Sequence, residues 1–184
     1  GEKTCVNHWL INPSDPNNST NTPYWVGTYS IQGTVIFKTD GTGSGKASEV
    51  EVVSPIYTPI PLYPYWSGPS WPFPLPATIL GNTNTYNVSF NFTYSVAANG
   101  AITRSITPDG FAGIFLSGNR TGQTFNSDPV TLTGFVARND ETILLSTPPG
   151  QAEIVTTDLF DNNVLIGRIE GQCHRSRVLI KTGN

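Results

Sequence analysis

Period-two alternation recurs along this chain, with no helical period of convincing length, and it leaves few folds open. In YNVSFNFTYSV, Tyr86, Val88, Phe90, Phe92, Tyr94 and Val96 share one face, while Asn87, Ser89, Asn91, Thr93 and Ser95 share the other. Such a segment is a half-buried strand. The same grammar runs through YWVGTYSIQGTVIFKTD, KASEVEVV, AITRSI, GFAGIFLS, PVTLTGFVAR, ETILLS, AEIVTTDLF, NVLIGRIEG and HRSRVLIK. Turn formers separate these runs at 39–45, 97–101, 117–123, 138–141, 147–151 and 161–163. Asn99-Gly100 predicts a two-residue type I′ hairpin turn, which needs positive φ at both central positions.

Short strands joined by short turns make an antiparallel meander. The expected fold is therefore all-β: a single antiparallel meander β-barrel of about eight strands, with a β-sandwich or jelly-roll as the alternative. Closure favours the barrel because it removes the exposed edges of a long, weakly charged sheet. At 184 residues the chain fits one domain. Residues 1–22 read as a mostly irregular N-terminal lead anchored by Cys5, Trp9 and Leu10, and residues 23–184 as the barrel domain.

Cys5 and Cys173 stand near the two ends and read as one disulfide in an oxidising compartment, tying the lead to the last strands. The start GEKTC and the absence of methionine predict a processed or trimmed N-terminus. Asn-x-Ser/Thr acceptor sites occur at Asn17, Asn18, Asn87, Asn91 and Asn119, and Asn87 and Asn91 fall on the polar face of their strand. Together these features predict a secreted or cell-surface glycoprotein.

The strand meander does not explain PIYTPIPLYPYWSGPSWPFPLP, residues 55–76, an insertion within 54–77. It holds eight of the fifteen prolines, six aromatic residues and no charge. It reads as a loop laid over the barrel, as a contact arm, or as a platform whose rings stack on sugars. In a contact arm, stiff extended backbone loses little entropy on docking and Tyr and Trp supply area. The residues expected at the contact are Tyr63, Tyr65, Trp66, Trp71 and Phe73.

Charged residues make up only 12% of the chain, against roughly 25% in an ordinary soluble domain, and the net charge is −3. The basic residues are scattered apart from His174, Arg175, Arg177 and Lys181, which argues against nucleic acid. Val52 to Thr103 carries no charge, but prolines and asparagines interrupt it well short of a membrane-spanning helix.

Catalytic signatures are weak. TDGTGSGKAS lacks the glycine and the Ser/Thr that a phosphate-binding loop needs and lies between strands, so it reads as a hairpin. There is no nucleophile elbow, only two histidines, and no metal-ligand spacing. Glu49 and Glu51 share a strand face, the ordinary spacing of a solvated strand. Arg175 and Arg177 share a face opposite His174; pointing inward they would orient a carboxylate or enolate, and pointing outward they only solubilise, the preferred reading. His174, Arg175 and Arg177 are thus the candidate polar groups of a cavity, with no cofactor or metal expected.

The run TYSIQGTVIFKTDGTGSGKASEV, the later FxGxFL-type strand, GQTF at 122–125 and the closing CHRSRVLIK resemble secreted bacterial proteins of unknown function. These have small meander barrels of the lipocalin or allene-oxide-cyclase type. A lipocalin places Gly-x-Trp on its first strand against a late arginine. WVGTY instead has Trp25 before the glycine, with Arg175 or Arg177 in the late position, so no family binding site carries over.

These readings converge on a non-catalytic β protein acting by contact, a subunit of an extracellular assembly or filament, whose partner is another copy or another extracellular protein. The alternatives are a barrel that binds or isomerises a small apolar molecule, and a carbohydrate-binding module.

Overall fold

A computed structural model describes residues 1–11, 25–55, 83–137, 141–148 and 150–182. Ten strands follow one another: β1 (Glu2–Ile11), β2 (Trp25–Phe37), β3 (Thr42–Pro55), β4 (Thr83–Val96), β5 (Ala101–Ser117), β6 (Thr124–Ser127), β7 (Thr131–Val136), β8 (Thr142–Ser146), β9 (Glu153–Asp161) and β10 (Val164–Ile180). The protein is all-β, and every pairing is antiparallel.

The sheet closes into a ring of eight strands, β1-β2-β3-β4-β5-β6-β9-β10, sealed by β1 against β10. The two remaining strands continue lines already present. β6 pairs with residues 112–114 of β5, and β7 pairs with 101–105 of the same strand. On β10, likewise, β9 takes residues 164–173 and β8 takes 176–180. Successive lines are neighbours all the way round, so no sandwich-type crossing is needed.

Residues 2–11 depart from the irregular lead expected of them. They form a full strand, with Cys5 directly opposite Gly27 on β2 and Cys173 on β10. Cys5, Asn7 and Trp9 face inward. Asn7 occupies an inward position where an apolar residue would have completed the alternation.

The interior is packed along its length. Trp9, Trp25, Val53, Tyr86, Val88, Phe115, Phe125 and Leu159 fill one part, and Phe92, Ile106, Val130 and Val155 pack around the Cys5–Cys173 pair. Ile102, Leu132 and Leu145 complete the core. Burying each large side chain is worth about 1.5–3 kcal/mol. Gly43 and Gly45 are the places where the Phe92 and Phe90 rings lie across the neighbouring backbone, and any Cβ there would collide with them. The glycine run of TDGTGSG therefore serves aromatic packing.

The turn chemistry is the reverse of the Asn99-Gly100 expectation. Of that pair only Gly100 has positive φ, 85°, and Gly100 N–H donates to Ala97. That is the longer hairpin in which a left-handed glycine follows a type I turn. The two-residue turn with both central residues left-handed is Asn162-Asn163, at φ 49° and 65°. Asparagine tolerates that region because its side chain bonds locally.

β1 spans only part of the seam between its neighbours. Its pairing with β2 ends at Glu2↔Ser30, followed by Ile31 N–H donating to Gly1. Beyond that point, residues 32–37 of β2 and 177–180 of β10 have no partner strand between them among the described residues.

Candidate functional site

Alternation along five strands sends ionisable side chains to the inside of the ring. Lys3 from β1, Glu49 and Glu51 from β3, Arg104 from β5, Glu153 from β9, and Arg175 and Arg177 from β10 share the inward parity of the core residues around them. Charges enclosed by a sheet are costly unless paired and hydrogen-bonded.

Some are paired. Glu49, 3% exposed, accepts from Tyr86 Oη at 3.0 Å and from Lys3 Nζ at 3.4 Å. Lys3 also lies 3.8 Å over the Tyr29 ring. Glu51 accepts from Tyr29 Oη at 2.8 Å and Asn84 Nδ2 at 2.9 Å. Burial pushes both tyrosine hydroxyls well above their ordinary value, with the carboxylates beside them adding to it. Burial also lowers the Lys3 ammonium, against the pull of Glu49.

The arginines are less well matched. Arg175 Nε sits 2.8 Å from Glu153 Oε2, yet out of line for a hydrogen bond, so this is an ion pair without aligned donation. Burial raises the Glu153 carboxyl although Arg175 draws it down. Arg177 donates to the backbone carbonyls of Glu2 and Ser176. Arg104 lies over the faces of Phe90 and Phe92, at 5.5 and 5.4 Å, and its buried Nε has no hydrogen-bond partner among the described residues. Burial, then repulsion from nearby arginines, lowers Arg104 to about 10. Arg177 is lowered to about 10 by burial first.

Two internal spaces accompany these groups. One of about 90 Å³ lies among Trp9, Trp25, Tyr29, Glu51, Asn84 and Arg120, with Arg120 stacked 4.8 Å over Trp9. The other, about 80 Å³, is walled by Arg104, Arg175 and Arg177 together with Ile106, Leu132 and Leu179.

The preferred outward reading of Arg175 and Arg177 is therefore corrected: both share the inward parity of Cys173, and Arg175 is buried. By the same parity His174 is exposed on the outer face and is not a cavity group. Glu49 and Glu51 likewise belong to the interior network rather than to a solvated face.

Cys5 and Cys173 form the expected disulfide, their sulfurs 2.08 Å apart and buried. Asn87, Asn91 and Asn119 are exposed, the first two on the outer face of β4. Asn17 and Asn18, and the contact residues Tyr63, Tyr65, Trp66, Trp71 and Phe73, lie outside the described residues.

Lys3, Arg104 and Glu153 are interior groups that the sequence reading passed over. For Arg104 the signal was present in AITRSI, where it stands between Ile102 and Ile106 on the apolar face. Among the described residues there is no cluster of His, Cys, Asp or Glu able to hold a metal ion, and no helix long and apolar enough to cross a membrane. No protein-family model matches the chain, and neither a curated protein nor a solved structure matches it.

Proposed function

We propose that this is a secreted or cell-surface, non-catalytic β protein that acts by contact, as a subunit of an extracellular assembly built from copies of itself. One observation carries this reading. On the outer face, Phe135 of β7 stands opposite Leu144 of β8, which stands opposite Val178 of β10. They are 61%, 53% and 58% exposed, and Ile180 beside them is 68% exposed. The outward residues along the ladders, Thr131, Thr133, Thr142, Ser146 and Ser176, carry no charge, and the two exposed charges at the Ile180 end, Glu141 and Lys181, are of opposite sign. An apolar row in a neutral polar setting can meet its own copy without like-charge repulsion, and contiguous exposed apolar surface marks interaction sites.

The interior supports the same choice over a lipocalin-like or isomerase role. Pockets for lipid- or drug-sized ligands usually offer about 300–1,000 Å³, against 90 and 80 Å³ inside this ring. The carboxylates Glu49 and Glu51 are engaged by neighbouring side chains. The buried disulfide fits an oxidising compartment. Tyr63, Tyr65, Trp66, Trp71 and Phe73 belong to the proposal as a second contact surface.

The test is sedimentation velocity across a concentration series, with negative-stain microscopy of native material. Wild type should form large particles or filaments, and Leu144→Lys should remain a folded monomer. A wild-type monomer at high concentration refutes the proposal, as does undiminished assembly by Leu144→Lys combined with Phe135→Glu.

A further inference from the structure

Glu49 is taken by Lys3 and Tyr86, and Glu153 stands against Arg175. Among the described residues neither Arg104 nor Arg177 forms a salt bridge; Glu49, on the same cavity wall, draws Arg177, and Glu153 draws both, only at longer range. Arg104 is the sharper case: the residue is 5% exposed, its Nε has no acceptor, and aromatic faces are its neighbours. A guanidinium does not relieve this by losing its proton near neutrality, since Arg104 stays charged up to about pH 10. A buried cation without a salt-bridge partner is destabilising.

From this geometry we infer that the 80 Å³ cavity bounded by Arg104, Arg175 and Arg177 is an anion-binding site whose ligand is a small monocarboxylate with a short apolar chain. Guanidinium forks match the two oxygens of a carboxylate. Ile106, Leu132 and Leu179 give one side of the wall an apolar character suited to a few carbons, while Lys46, Thr34, Gly1 and the carboxylate Glu49, which Lys3 and Tyr86 engage, also border it. A volume of 80 Å³, about that of three waters, takes a carboxylate head and the first carbons of a short chain, whose end can extend toward the seam. An inorganic sulfate or phosphate fits less well, because oxygens turned toward Ile106, Leu132 and Leu179 would find no donor on that side, and its higher charge would lie nearer the Glu49 carboxylate.

Entry is through the incomplete seam. The same cavity is bounded by Gly33 and Thr34 of β2 and by Val178 of β10, all exposed, where β1 no longer separates the two strands. The site needs no second copy of the chain, so its existence and the assembly proposed above stand or fall separately.

The experiment is thermal unfolding of the oxidised full-length chain in sodium butyrate, with sodium chloride and sodium sulfate at matched ionic strength. Butyrate at twenty times its dissociation constant should raise Tm by about 4–7 °C over chloride. Arg104→Met should lose that increment while gaining Tm in butyrate-free buffer, since it deletes a buried unpaired charge. Calorimetric titration of butyrate into wild type and Arg177→Met, where binding should weaken at least tenfold, covers the case in which Arg104→Met does not fold. The inference is overturned if butyrate matches chloride, if sulfate exceeds butyrate, or if both arginine variants bind butyrate as wild type does.

Discussion

Replacing both cysteines, Cys5→Ala with Cys173→Ala, tests the part of the fold that the chain ends secure. The bonded residues are 168 positions apart. In the chain-entropy description a closed loop of that size removes about 17 cal/mol/K from the unfolded ensemble, or about 5 kcal/mol at 25 °C. Both side chains are buried among Phe92, Ile106, Val130 and Val155, so deleting the sulfurs adds about 1 kcal/mol each in lost packing. A total near 7 kcal/mol, with a urea slope of about 2 kcal/mol per M, lowers the unfolding midpoint by roughly 3 M. The assay is a urea melt followed by the fluorescence of buried Trp9 and Trp25, whose rings lie 5.5 Å apart. A midpoint lowered by less than 1 M at unchanged slope would refute the reasoning, because the β1–β10 ladder alone would then hold the ring shut.

The interior network gives further expectations. Glu49→Ala strands the buried Lys3 ammonium and should cost about 3–5 kcal/mol, whereas Lys3→Met with Glu49→Gln removes both charges, keeps an acceptor for Tyr86 Oη and should stay within about 1.5 kcal/mol of wild type, read as urea midpoints. Tyr29 and Tyr86 hold their protons well above pH 10 when folded, so their contribution is complete below the unfolded value near 10 and is lost as pH rises beyond it. At least two tyrosines, Tyr29 and Tyr86, should therefore stay un-ionised by absorbance at 295 nm at pH 11, and Tyr29→Phe with Tyr86→Phe should lose less stability than wild type between pH 9 and 11. At the turns, Gly100→Ala forces a side chain into φ 85° and should cost about 1–2 kcal/mol, while Asn163→Gly should be neutral or slightly stabilising by the same melts.

Alternation alone carried much of the architecture. In β4, TNTYNVSFNFTYSV reads in–out without a break, and Phe92 ends 1% exposed. The disulfide was legible too, because two cysteines at opposite ends of a meander meet when first and last strands pair. β1 was not, since Asn7 and His8 interrupt the apolar rhythm of CVNHWLI, and only β2 and β10 on either side make it a strand. The charged interior was hidden for a related reason. Taken alone, Arg175 and Glu49 look like solvent-facing residues, and their burial is visible only when their parity is tied to that of Cys173 and Val53 on the same strands. Turn types failed at Asn99-Gly100 because loop length, set by the register Val96↔Ile102, outweighs the dipeptide.

Pairing of the first and last strands also means that the meander has no privileged starting point. A circular permutant joining the present ends and opened between Asn162 and Asn163 would keep every ladder of the ring. What it would alter is the order of events. In the native chain the β1–β10 ladder joins the most distant residues and carries the largest closure entropy. Once Cys5 and Cys173 are bonded, that ladder is as local as any hairpin. Oxidation before folding would thus turn the last closure of an open chain into a nucleus from which the ring can zip in both directions.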